Sequence, residues 1–400
     1  MTSLQAARLA TMLLLFCNGL IYATWGIHIP TLKAKFELSD ADLSWAMFAV
    51  AVGGIVVMSR VGRWAERRGT AHVSRHSAWL MGGTAALILI IPQYDWLLLW
   101  LLLFGAATAA NDIAVNAQGA MLEVRMNRPI IGSIHGSFSL GGLVGALIAS
   151  VWVATQGTAI SHMVLVSLLM ALLMLFAARH LITDDDNHKS RYQDNDNNQA
   201  ITKPLPSTAV AIPPHVGLRL WALGGLGFLG LLVEGAMYDW SAVYMREVVA
   251  ASPEMVSAGY GAFCAGMALG RFAGDPLRGR LGALQLMYGS CALAMVGLLL
   301  AMLWPKPLSA TIGFGLAGLG LSSVMPILFA SAGKIASAAG LATAVGLAVT
   351  VRCAYAGLLL GPALLGQISQ GFGLVVALGI AVLSVVLIAG FCRPLLKHST

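Results

Sequence analysis

Charge is scarce in this 400-residue chain: 10% of its residues are Asp, Glu, Lys or Arg, while 58% are hydrophobic. Soluble globular chains carry about 25% charged residues. A chain so apolar has too little polar surface to cover itself in water, and the lipid bilayer is the solvent that suits it. Metal and redox signatures are missing as well. The five cysteines, Cys17, Cys264, Cys291, Cys353 and Cys392, lie far apart in apolar runs, with no CxxC and no His/Cys cluster. Cysteines so placed are small packing residues, and neither a metal nor a cofactor is expected. The chain has no HExxH, GxSxG or P-loop pattern, so nothing points to an enzyme or to a nucleotide-driven pump. The formal net charge of +7 comes without a basic-aromatic module, so nucleic acid is not an expected partner.

Long apolar runs are abundant. A membrane helix needs about 20 mostly apolar residues. Twelve candidate spans meet that need: 9–31, 43–62, 74–92, 96–121, 133–155, 161–182, 217–245, 255–274, 281–303, 308–331, 339–366 and 372–392. The first follows a single basic residue, Arg8, and runs on into "HIPTLKAKFELS" without a small-residue cleavage site. It reads as a membrane helix rather than a signal peptide. Between the sixth and seventh spans, 183–215 contains "TDDDNHKSRYQDNDNNQA" and then "PLPSTAVAIPPH". A stretch so polar and Pro-rich is expected to be a linker outside the membrane. The expected organisation is an all-α membrane protein with a six-helix bundle at 1–182, a linker at 183–216 and a second six-helix bundle at 217–400.

Lysine and arginine set the expected orientation. With the N-terminus inside and alternating spans, 19 of the 24 fall on the cytoplasmic side, among them Arg60, Arg63, Arg67, Arg68, Arg278 and Arg280. Lys33, Lys35, Arg246 and Lys306 fall outside, and Arg352 lies within a span. Positive charge is retained on the cytoplasmic side, so both termini and the linker are expected there.

The halves also repeat. "GRWA" (62–65) ends the second span and "GRFA" (270–273) ends the eighth, each before a basic turn. "LGGLVG" (140–145) in the fifth span is matched by "LGPALLG" (360–366) in the eleventh. Two six-span halves with corresponding Gly-rich helices mark a repeat-built secondary transporter.

On these residues the chain resembles the major facilitator superfamily. "GRWAERRG" (62–69) is similar to that family's loop signature G-x-x-A-D-R-x-G, with Glu66 where the family has Asp. The second copy, "GRFAGDPLRGR", keeps its start and Asp275. Within the superfamily the chain looks closest to the bacterial inner-membrane branch of YbjJ and the MosC-like permeases. "NAQGAMLE" (116–123), "MNRPIIGSIHGSFSLGG" (126–142), "EGAMYDW" (234–240) and "GYGAFCAGMALGRFAGD" (259–275) carry that likeness. The resemblance implies two pseudo-symmetric six-helix bundles alternating around one cavity. Spans 1, 4, 7 and 10 would line it, and spans 2, 5, 8 and 11 would pack the bundles together. It also implies a gating loop of Gly62, Arg63, Glu66, Arg67 and Gly69, with Glu66 pairing across the bundle interface.

Charges inside membrane helices cost roughly 2.5–3.5 kcal/mol each on insertion scales, and four stand well inside: Asp112, Glu234, Asp239 and Arg352. All four are candidates for proton coupling: the three acids because a carboxylic acid withdrawn from water holds its proton more readily, and Arg352 as a switchable partner. Glu234 lies about 20 Å along its helix from Trp221, deep in a core about 30 Å thick. Asp239, five residues on, is rotated by about 140°. The two acids should therefore do different work, Glu234 meeting proton, solute or Arg352, and Asp239 anchoring or gating. Either a switchable or a permanent Glu234–Arg352 pair fits the sequence.

Thr108, Asp112 and Asn116 fall at i, i+4 and i+8 in one polar stripe, which Asn111 and Gln118 widen. Asn18, Tyr22 and Trp25 recur at i, i+4 and i+7 in the first span, and Tyr238 stands on the Glu234 side of the seventh. Asn18, Tyr22, Trp25, Thr108, Asn111, Asn116 and Tyr238 are the candidate solute-binding residues. His28 is expected near the outer surface, making a surface hydrogen bond or serving a gate. These residues favour a proton-coupled carrier, working as a monomer, for a small polar solute such as a sugar or cyclitol. Export of a metabolite or drug is the alternative, and a membrane sensor a remote one.

Overall fold

The computed structural model describes residues 3–128, 130–183 and 212–396. The central part of the linker, 184–211, lies outside the described residues. Thirteen α-helices run through the described chain: α1 (Ser3–Lys35), α2 (Asp40–Arg68), α3 (Thr70–Leu87), α4 (Tyr94–Met126), α5 (Ile131–Ala154), α6 (Ala159–Ala177), α7 (Pro214–Glu247), α8 (Val256–Leu281), α9 (Ala283–Leu303), α10 (Pro307–Leu321), α11 (Val324–Ala338), α12 (Thr343–Phe372) and α13 (Leu374–Leu396). A 3-10 turn, Pro253–Met255, leads into α8. Ten helical stretches are long and apolar enough to cross a membrane, with α10 and α11 counting as one. With α10 and α11 taken as one span, the thirteen helices make twelve spans, the expected fold, though α3 and α8 fall outside the ten most apolar stretches.

Thirteen helices arise from twelve spans because one span is broken. α10 stops at Leu321 and α11 starts at Val324. Pro326 stands in the first turn after the break. It has no N–H to return to the Ser322 carbonyl, which removes one helical hydrogen bond at the break. Pro30, Pro276, Pro362 and Pro394 stand inside unbroken helices, so the proline alone does not decide it. The break lies against α7, where Gly230 faces Val324 and Met325.

Local chemistry sets the ends. Ser39 caps α2, its hydroxyl accepting from the Asp42 N–H while the Asp42 carboxylate accepts from the Ser39 N–H. This reciprocal box satisfies two otherwise orphaned donors. α2 and α3 are parted by Gly69, and α8 and α9 by Gly282, at φ of 83° and 77°. Side chains avoid that region, so glycine is the residue that can make the break. The two turns stand at corresponding places in the halves.

The repeat extends to packing. In α2–α4, a Cβ on Gly105 would overlap the Val50 carbonyl, and one on Gly53 the Leu102 carbonyl. In α8–α10, a Cβ on Gly318 would overlap the Phe263 carbonyl, and one on Gly266 the Gly315 carbonyl. With little hydrophobic drive between helices in lipid, such backbone approach supplies the association through dispersion contacts. The halves meet where α5 packs on α8, α2 on α12 and α1 on α7.

The ends of the bundle differ. At one, the latched face, the C-terminal ends of α1, α7 and α12 gather around the start of α2, joined through Lys33, Glu247, Ser369 and Asp40. The other, the terminal face, holds the start of α1 bound to the start of α5 through Arg8 and Ser133, together with the Gly69 turn.

Candidate functional site

The two carboxylates of α7 do lie on different faces. Glu234 is buried, and its Oε1 accepts from Arg271 Nη2 at 2.9 Å and from the Tyr238 hydroxyl at 3.1 Å. The other arm of Arg271 crosses to α5, where Nη1 donates to Ser139 Oγ at 2.8 Å and to the His135 carbonyl at 3.3 Å. One guanidinium therefore ties α7 and α8 to α5 in the opposite half. A planar fork with several donors suits such a task. A buried ion pair holds when its remaining hydrogen-bonding groups are also met, as the contacts from Tyr238 and to Ser139 provide here.

This corrects the pairing expected from sequence. Arg352 does not reach Glu234: it is exposed and makes no ion pair among the described residues. It projects from α12 toward a different space, and Arg271 takes the place foreseen for it. The set of interior charges is accordingly five rather than four. The added charge is Arg271, in the motif copy "GRFA" before a basic turn. Its position inside the candidate span 255–274 was the signal that could have found it.

Asp239 accepts from Trp25 Nε1 at 3.2 Å, which joins α7 to α1 across the seam. Around it lies a packed aromatic layer. Tyr238 meets Phe138 of α5 and Tyr260 and Phe263 of α8 at centroid distances of 5.9, 5.7 and 5.3 Å, and Tyr22 packs edge-on against Phe138. Asn18 is buried beside this layer, with Oδ1 unpartnered among the described residues. Asn18, Tyr22, Trp25 and Tyr238 are thus gathered at the seam, where they close the middle of the molecule rather than line an open space.

The polar stripe of α4 divides. Thr108 turns back to the Gly105 carbonyl, and Asn111 donates to the Ser74 carbonyl and Ser77 Oγ of α3. Gln118 donates to Thr70 Oγ1 and to the Ile182 carbonyl. Asn111 and Gln118 therefore fasten α4 within its own half, a correction to the solute-binding reading of Asn111. Asp112 and Asn116 face the other way, into a cavity of about 390 Å³ between α2, α4 and α12. Two of its walls thus come from the second and eleventh spans, which were expected to pack the bundles together rather than to line a cavity. Asp112 accepts from the Tyr355 hydroxyl at 3.3 Å and from Asn116 Nδ2 at 3.1 Å. Arg352 lines the same cavity, and Ile55, Met58, Ile113, Val351, Leu359 and Leu360 supply aliphatic wall.

The faces above and below complete the arrangement. On the latched face Lys33 lies 2.8 Å from Glu247 and also binds Asp40, Ser369 donates to Asp40, and Gln367 reaches Ser44 at 2.7 Å. On the terminal face Gly62, Arg63, Glu66 and Arg67 are exposed, and Glu66 makes no ion pair among the described residues. The cross-interface pairing implied for Glu66 is not made in this structure. The Asp275 side chain lies outside the described residues. His28 departs from expectation too: it is buried, with Nε2 2.9 Å from His162 Nδ1 of α6. α1 runs through the core of its half, and every residue from Ala23 to Pro30 is buried.

Comparison with known proteins agrees with this architecture. Residues 11–362 match the Major Facilitator Superfamily. An uncharacterised MFS-type transporter of Yersinia pestis is 30% identical over 395 residues, covering 98% of this chain and 96% of its own. The membrane protein MosC of Rhizobium meliloti is 30% identical over 373 residues, covering 92% and 86%. Among solved structures, a mutant of the nucleoside transporter NupG superposes with a TM-score of 0.75 at 13% identity, covering 98% of this chain and 100% of that one. A bacterial homologue of the human lysosomal transporter Spinster, inward-facing and unoccupied, gives 0.72 at 14% identity, covering 99% and 97%.

Proposed function

This chain belongs to the major facilitator superfamily, and from that premise we propose that it is a proton-coupled secondary transporter of a small polar solute. It works as a monomer by alternating access in the bacterial inner membrane, with both termini in the cytoplasm. Members of the family bind small-molecule substrates and lie in the lipid bilayer, and the chain is accordingly a multi-pass membrane transporter.

The observation that carries the proposal is the Glu234–Arg271 pair. Arg271 is held by Glu234 on one side and by Ser139 and the His135 carbonyl of the opposite half on the other. A proton on Glu234 removes the charge that fixes the guanidinium and so loosens the α5–α8 seam. Protonation and the relative position of the halves then depend on each other, which is what coupling requires. Asp112 and Asp239 also contact the opposite half, through Tyr355 and Trp25, and serve as secondary proton-sensitive contacts. The solute is taken from the terminal face into the cavity of Asp112, Asn116, Tyr355 and Arg352. A sugar- or cyclitol-like ring would in addition need Tyr22, Trp25 and Tyr238 to open from the middle layer.

The test is transport in proteoliposomes, with a solute found by thermal-shift screening of metabolites against the purified protein. Glu234→Gln is expected to abolish accumulation driven by a pH gradient while leaving solute exchange in place. Undiminished uphill transport by that variant would overturn the assignment. For the orientation, a cysteine inserted within 184–211 should label only from the cytoplasmic side. Labelling from the periplasm would invert the topology.

A further inference from the structure

The cavity between the halves holds two opposite charges that are not spent on each other. Asp112 stands on α4 of the first half and Arg352 on α12 of the second, and both line the same 390 Å³ space. No ion pair joins them, and Arg352 pairs with no acid among the described residues. The neighbours of Asp112 are neutral, namely Tyr355 and Asn116. A volume of this size suits a small organic ligand. The rest of the wall is largely aliphatic, from Ile55, Met58, Ile113, Val351, Leu359 and Leu360.

We propose that this cavity takes a zwitterionic solute with an aliphatic body, its cationic nitrogen on Asp112 and its carboxylate on Arg352. The inference rests on the reading of the cavity as the transport site and names the class of its solute. A neutral solute would leave the half-buried Asp112 carboxylate without a counter-ion beside a largely aliphatic wall, which is costly, and would leave Arg352 unused. An anion would satisfy Arg352 but face Asp112, and a cation the reverse. A zwitterion satisfies both, and the guanidinium fork matches a carboxylate with two parallel hydrogen bonds. Asn116 and Tyr355 hold the Asp112 carboxylate in place for the ammonium. The two binding groups belong to different halves, so a bound zwitterion also bridges the seam. Its affinity then differs between conformations in which the charges lie nearer or farther apart, and that difference is what shifts a conformational equilibrium.

The experiment measures binding of charge-matched probes to the full chain in detergent, by calorimetry. Leucine and 6-aminohexanoate are the zwitterions, with adjacent and separated charges. Hexanoate, hexylamine and hexanamide are the anionic, cationic and neutral controls. At least one zwitterion is expected to bind tenfold or more tighter than every control. Arg352→Gln should reduce zwitterion binding at least tenfold and spare hexylamine, whereas Asp112→Asn should reduce it and spare hexanoate. Arg352 is exposed, so its replacement leaves the fold intact, and Arg352→Lys should restore part of the affinity. Binding of hexanamide or a singly charged probe as tight as either zwitterion overturns the proposal, as does a failure of every probe to bind. Counterflow in proteoliposomes separates this from the broader reading. Zwitterion binding without counterflow would refute transport and keep the site. Counterflow of a neutral sugar without zwitterion binding would refute the site and keep transport.

Discussion

Arg63 and Arg271 occupy the same position in the two copies of one four-residue motif, yet Arg63 is exposed and Arg271 is locked between α7, α8 and α5. Two differences separate them. α2 ends at Arg68, five residues after Arg63, while α8 runs ten residues past Arg271 to Leu281. At 1.5 Å per residue the second arginine lies about 15 Å from its helix end and the first about 7.5 Å. Partners differ too. α7 offers Glu234, whereas its counterpart α1 contains no carboxylate. In the first copy the arginine stands exposed near its helix end, and in the second it lies in the interior, where it links the halves.

The contrast can be broken most sharply at Arg271. Arg271→Gln leaves the Glu234 carboxylate buried without its counter-charge, and loss of one partner of a buried pair costs about 3–5 kcal/mol. Denaturant unfolding of the detergent-solubilised protein should show that loss, and Glu234→Gln combined with Arg271→Gln should recover most of it. If the double variant is no more stable than the single one, the pair is not what holds the seam. Ser139→Ala removes a hydrogen bond to a charged donor, worth about 1.5–3 kcal/mol. Its stability loss should shrink to near zero in an Arg271→Gln background, and a loss that persists there would show that Ser139 acts on something else. On the latched face, Lys33→Ala is expected to cost no more than about 1 kcal/mol, as for half-exposed ion pairs generally. Its clearer sign should be greater reactivity of a cysteine placed at Ser44, which Gln367 of the other half covers. Unchanged reactivity would mean that the ionic contact does not hold that face closed. The smallest effect belongs to Arg63→Gln. Exposed and unpaired among the described residues, it should stay within about 0.5 kcal/mol of the parent, and a loss comparable with that of Arg271→Gln would erase the distinction between the copies.

Much of the fold was legible in the sequence because it depends on local pattern. Apolar runs of span length, the GRWA/GRFA pair and the Gly-rich fifth and eleventh spans reported the helices and their repeat. The 140° offset between Glu234 and Asp239 was likewise legible, since both lie on one helix and its period sets the angle. The polar stripe of α4 was legible as a stripe, but not as two faces. Asn111 goes to Ser74 and Ser77 on α3, and Asp112 goes to Tyr355 on α12. Which neighbour each residue meets depends on how the helices are rotated against one another, and no single helix contains that information. The Glu234–Arg352 expectation failed for this reason. It chose a partner by counting interior charges, while depth and azimuth on a third helix, α8, selected Arg271.

By itself the sequence determined the solvent, the number of spans and the two-fold repeat, while the span 308–331 gave no sign of the break between α10 and α11. The first three follow from the cost of charge in lipid, from helix length and from the matching motifs of the two halves. The tertiary structure alone decided which charges pair across the halves and which stand apart. Glu234 and Arg271 satisfy each other, while Asp112 and Arg352 share a cavity without pairing. The reason is geometric: an ion pair needs its atoms within about 4 Å, and only the packing of separate helices sets such distances.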